Sequence, residues 1–147
     1  MSSRTPSGYS GTPLDQKLGL KDGQRAVFVN LAVFLRWLVG AVHFASALET
    51  TAQREIRGAD NELIHAFFTE AASLEESLPA LMGAIVPNGT IWISWSKRTS
   101  KWQTDITEDV IRSKALPLGL VDVKVCAVDE IWSGLKLVIR KELRLGS

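Results

Sequence analysis

A chain of 147 residues, 46% of them hydrophobic and 22% charged, has the make-up of one globular domain with enough apolar mass for a core. A formal net charge of +1 supplies no global field to gather nucleic acid or an anionic membrane, so neither is an expected partner. The one cysteine, Cys126, excludes a disulfide framework and a C-x-x-C metal or redox site, which fits a cytoplasmic protein.

Residues 1–11 (MSSRTPSGYSG) are rich in Ser, Gly and Pro and are expected to form a flexible tail, with 12–147 as a single α/β domain. Thr12 as N-cap and Pro13 at the first helical position predict a short helix that ends at Gly19. Arg25–Asn30 (RAVFVN) reads as a first strand, apolar on both faces as a buried parallel strand must be. Leu31–Leu38 carries Leu31, Phe34, Leu35 and Leu38 at helical spacing, and Ala41–Leu48 reads as a second buried strand. Ala26–Leu48 has the length of a membrane span, but Arg36, Asn30 and His43 interrupt it, so strand, helix and strand is the better reading.

Thr50–Gly58 reads as a surface loop or one helical turn, and Leu63–Phe68 (LIHAFF) as the third strand. Ser73-x-x-Glu76 has the form of a capping box before a helix that Pro87-Asn88-Gly89 stops, with Pro79 as a kink or a late start. Thr90–Trp95 (TIWISW) is the fourth strand, Ser96–Gln103 a basic loop, and Asp105–Leu116 a helix capped by Asp105. Val121–Val128 and Leu135–Ile139 flank a polar turn with Gly134, the pattern of an antiparallel hairpin. About six strands and right-handed crossovers then give a three-layer Rossmann-like sandwich: a mainly parallel sheet finished at one edge by the C-terminal hairpin.

In such sheets ligands bind beyond the carboxyl ends of the strands, where strand order reverses. Asn30, Glu70, Trp95, Lys97, Arg98 and Asp105 are the candidate ligand-binding residues on that rule. Lys97, Arg98 and Lys101 between Trp95 and Trp102 form the densest cationic and aromatic cluster, which suits a small anionic or aromatic ligand. Asp105, Glu108 and Asp109 read first as helix-capping carboxylates, and His43 and His65 as buried strand histidines without metal-ligand spacing. The turn Val29-Asn30-Leu31-Ala32-Val33 holds no glycine, where a nucleotide site on this fold needs bare backbone. No catalytic residue stands out.

Gly8-Tyr9-Ser10-Gly11-Thr12-Pro13-Leu14, Trp92-Ile93-Ser94-Trp95-x-Lys97, Thr104-Asp105-Ile106-Thr107-Glu108-Asp109, Leu118–Val125 (LGLVDVKV) and Asp129-Glu130-x-Trp132-Ser133-Gly134-Leu135-Lys136 together resemble the bacterial DUF3052 family. The resemblance implies a shortened class I methyltransferase-like fold and supplies no catalytic residue. The expectation that follows is a degenerate methyltransferase-like domain acting as a binding or interaction module, with no cofactor. The alternative is an S-adenosylmethionine-dependent methyltransferase with an atypical pocket built from Asn30, Glu70, Trp95 and Lys97. A homodimer that buries Trp132 or Trp102 is a third expectation.

Overall fold

The computed structural model describes residues 12–97 and 103–144. The expected tail at 1–11, Arg98, Lys101 and Trp102 lie outside these residues. Strands β1 (Arg25–Val29), β2 (Ser46–Thr50), β3 (Asn61–Phe68), β4 (Ile85–Ser96), β5 (Leu120–Ala127) and β6 (Trp132–Ile139) form one sheet in the order β2-β1-β3-β4-β6-β5. The first four are parallel, and β6 runs antiparallel to both β4 and β5. The expected α/β sandwich is therefore present, with the hairpin's second strand joined to the parallel layer and its first strand at the edge.

Side chains alternate along each strand, so the two faces of the sheet feed two separate cores. Ile64, Ala66 and Phe68 of β3 pack with Leu74, Leu78 and Leu81 of helix α2 (Ala71–Gly83) and Ile111 of helix α3 (Glu108–Ala115). Leu63 and Phe67 of the same strand pack with Phe28, Trp92, Leu35, Leu38 and the one-turn helix α1 (Leu14–Lys17). Leu20 N–H donates to Asp15 O and Gly19 N–H to Gln16 O, with Gly19 at φ +77°, so α1 ends at the expected glycine in a Schellman arrangement. Its N-cap is Pro13, not Thr12.

Several boundaries differ from expectation, each for a visible reason. The segment after β1 is a 3₁₀ helix at Val33–Gly40, not an α-helix at Leu31–Leu38. The second strand is Ser46–Thr50 and largely exposed at the sheet edge, because residues 41–45 are spent on other bonds: His43 N–H reaches Asp22 Oδ1 and Ala45 N–H reaches Gln24 O. The Ser73 box is not the cap of α2, which starts at Ala71; Ala71 N–H donates instead to Asp105 Oδ1 at 2.7 Å. Pro79 sits inside α2 on its exposed side, where the proline ring displaces no core side chain.

Pro87-Asn88-Gly89 does not stop a helix. It bulges within β4, where the partner of Asn61 is Ile85 and that of Leu63 is Thr90. A Cβ on Gly89 would lie 3.0 Å from both Ile85 Cβ and Val86 O, so the bulge requires glycine. Thr107, not Asp105, caps α3, its Oγ1 accepting from Val110 N–H at 3.2 Å. Glu108 and Asp109 pair with Arg112, which also holds Asp122 of β5, so the three expected carboxylates serve two different helices.

His65 is wholly buried, stacked on Phe67 at 4.4 Å, and shares a 2.6 Å hydrogen bond with Ser94 Oγ. Its Nδ1 has no hydrogen-bond partner among the described residues, and desolvation pushes its pKa down from 6.5 to about 3. Below pH 6.5 the unfolded chain gains a proton that the folded chain refuses. Stability is therefore complete above that pH and declines as pH falls toward 3, by about 1.4 kcal/mol per unit. Denaturant unfolding at pH 7.5 and 5.0 should show a loss about 2 kcal/mol larger for the native chain than for the double variant His65→Phe/Ser94→Ala. Equal losses would contradict this assignment.

Candidate functional site

The chain leaves β1 through Asn30, which has φ +56° and, among the described residues, is the only non-glycine in the left-handed region. Asparagine tolerates that conformation better than most side chains. Its N–H donates to Thr50 O at 2.9 Å and its Nδ2 to Phe67 O at 3.3 Å, so one residue ties together the ends of β1, β2 and β3. Because β1 pairs with β2 on one side and β3 on the other, strand order reverses here. Two adjoining cavities open at this point and share Asn30. One, of about 210 Å³, is lined by Phe67, Thr69, Glu70, Ser73 and Trp132. The other, of about 450 Å³, is lined by Leu31, Arg36, Glu49, Thr50 and Glu55.

Asn30 and Glu70 therefore meet in one crevice, as expected, and Asp105 lies beside them through its bond to Ala71. Trp95 does not join them: it is 8% exposed and packs in the core beneath α2 and α3. Lys97 is committed to the hairpin turn, its N–H donating to Ile131 O at 2.7 Å and its Nζ to Asp129 O at 2.6 Å. Trp132 is the first residue of β6 and packs edge-on against Phe67 at 5.1 Å, so it floors the crevice.

Arg36 and Glu49 enter the crevice without having been singled out in the sequence. The guanidinium meets the carboxylate through Nε–Oε2 at 3.0 Å and Nη2–Oε1 at 3.2 Å. The signal was there: Glu49 lies about twenty residues past β1, the spacing at which a dinucleotide fold places the acid that holds ribose hydroxyls. Thr50 Oγ1 hydrogen-bonds Glu55, and Ala52 N–H donates to Thr50 Oγ1 at 3.0 Å, which fixes the loop after β2. Among the described residues that line the two cavities, the carboxylates of Glu49, Glu55 and Glu70 accompany one cation, Arg36. Among the described residues, no group of three His, Cys, Asp or Glu could hold a metal ion.

With the fold and crevice defined, the chain is similar to solved methyltransferases. An S-adenosylmethionine-dependent methyltransferase from Aquifex aeolicus superposes with a TM-score of 0.65 at 14% identity, covering 84% of this chain and 86% of that one. The ribosomal protein L11 methylase from Lactobacillus delbrueckii subsp. bulgaricus gives 0.57 at 12% identity over 86% and 75%. Magnesium protoporphyrin IX methyltransferase from Synechocystis PCC 6803, solved with bound S-adenosylhomocysteine, gives 0.59 at 10% over 82% and 75%. The protein thus has a methyltransferase-like α/β fold. No protein-family model and no curated protein matches the chain in sequence.

The residues present do not fit S-adenosylmethionine as they stand. The carboxylate that would hold the ribose is occupied by Arg36, and side chains of Leu31 and Ala32 follow Asn30 where the fold's nucleotide sites use bare backbone. At the neighbouring helix start, Asp105→Ala should destabilise the protein by about 1 kcal/mol, whereas Ser73→Ala should fall within about 0.5 kcal/mol of wild type. Denaturant unfolding of the two variants checks this. The reverse ranking would restore the Ser73 box as the cap.

Proposed function

We propose that this protein is a degenerate methyltransferase-like domain that acts as a binding or interaction module, its ligand held in the crevice around Asn30. The observation that carries this reading is the Arg36–Glu49 ion pair, which engages both oxygens of the carboxylate best placed to take a cofactor's hydroxyls. The aromatic floor of Phe67 and Trp132 and the acidic rim suit a hydroxyl-bearing aromatic ligand better than an anion. The segment that carries Arg36 also exposes Val33 and Phe34, at 70% and 82%, which a partner would cover. The resemblance to the DUF3052 family belongs to the same reading.

The opposing reading, an S-adenosylmethionine-dependent enzyme, draws on Asn30. Its left-handed backbone supplies the turn that glycine supplies elsewhere, and an opened ion pair would free Glu49. Calorimetric titration separates the two. The module reading expects no saturable heat with S-adenosylmethionine up to about 1 mM, for the native chain and for Arg36→Ala alike. One-to-one binding by the native chain with a Kd near 10 μM or below, on the order of 7 kcal/mol, would overturn it.

A further inference from the structure

A third cavity, of about 390 Å³, lies at the opposite end of the sheet, where β1 and β3 begin, and is lined by Lys21, Glu62, Asn88, Thr90 and Lys136 among others. Its volume is in the range of small-molecule sites. Lys136 projects from β6 directly opposite Lys124 of β5, a register that sets two like charges face to face. Such pairs weaken a sheet. Lysine often serves to keep exposed strand edges from pairing, and that explains Lys124 on the edge strand. It does not explain Lys136, whose strand is already paired on both sides. Among the described residues, the ammonium groups of Lys21, Lys124 and Lys136 have no ion-pair partner.

We propose that this cavity binds a phosphate monoester of a hydroxyl-bearing small molecule, with Lys136 and Lys21 taking the phosphate and Glu62, Asn88 and Thr90 taking hydroxyl groups. Two ammonium groups without an ion-pair partner line the cavity, Lys124 faces one of them across the strand pair, and a dianionic phosphate relieves their mutual repulsion. Burial first, and then the charges of Lys124 and Lys21, lower the pKa of Lys136, which is the electrostatic state of a cation awaiting its counter-ion. Two carboxylates, Asp22 and Glu62, line the same cavity, but each is drawn to a backbone N–H rather than to a lysine. Asp22 accepts from His43 N–H at 2.8 Å and Glu62 from Arg25 N–H at 2.9 Å, and neither forms an ion pair with these lysines. Glu62 keeps a second oxygen for a ligand hydroxyl, and the side chains of Asn88 and Thr90 carry no hydrogen bond within the described residues. A near-neutral chain with two lysines in a concave site favours a small ligand there over a nucleic-acid backbone.

Calorimetry with ribose 5-phosphate as the probe tests this on the native chain, Lys136→Gln and Lys114→Gln; Lys114 is ion-paired with Glu75 on another surface. Saturable binding that Lys136→Gln weakens about tenfold or more and Lys114→Gln leaves unchanged is the expected result. Thermal unfolding without ligand checks that the variant folds: Lys136→Gln should melt at or above the native temperature, because repulsion is relieved. No saturable binding at millimolar ribose 5-phosphate, equal weakening by both variants, or binding of a single-stranded oligonucleotide but not of ribose 5-phosphate would overturn the proposal. Inorganic phosphate binding as tightly as ribose 5-phosphate would overturn the hydroxyl assignment. The crevice around Asn30 lies at the other end of the strands, so this test does not depend on its occupant.

Discussion

Trp92 is the side chain on which one whole face of the sheet rests. It is completely buried, and its indole N–H donates to Leu18 O at 2.9 Å, which fastens the one-turn helix α1 to a strand far along the chain. A helix of that length has no stability of its own; the aromatic contact and the hydrogen bond supply it. Strand register extends the same row across the sheet: Phe28, His65, Trp92, Lys136 and Lys124 are successive neighbours. The row is aromatic while α1 and the 3₁₀ segment cover it and cationic beyond them. The histidine in its middle stays neutral because burial penalises its charged form.

The opposite face is covered by two regular helices, α2 and α3. The three cavities described lie at the two ends of the strands. Among the described residues, the carboxyl ends bring Glu49, Glu55 and Glu70 together with Arg36, and the amino ends bring Lys21 and Lys136 together with Asp22 and Glu62 around a cavity. Likeness to methyltransferases fixes the scaffold, but a scaffold does not fix an activity. Two local features bear on the proposed reading of this crevice: a turn bearing side chains and an acid paired with Arg36.

The strands buried on both faces were legible because their residues are apolar without interruption, as in Leu63–Phe68 and Thr90–Trp95. The hairpin was legible because period-two patterning brackets a turn. Edge strand β2 was misplaced because exposed strands lose that signature and its alanines fit either state. Pro87-Asn88-Gly89 was misread because the same turn chemistry ends helices and makes bulges. Asp105 looked like the cap of the nearest helix, yet it caps one more than thirty residues earlier in the chain, a contact that local spacing cannot encode. Asn30 was placed at the crevice, but its left-handed backbone leaves no trace in the residue pattern. The Arg36–Glu49 pair joins two segments thirteen residues apart and follows only once β2 is positioned.

A crystal structure determined in saturating S-adenosylhomocysteine is the most direct measurement of whether this crevice is a cofactor site. The account requires Arg36 and Glu49 to remain paired and no nucleoside to lie beside Asn30. Density for the nucleoside there, with its ribose hydroxyls on Glu49 in place of the guanidinium, would contradict it.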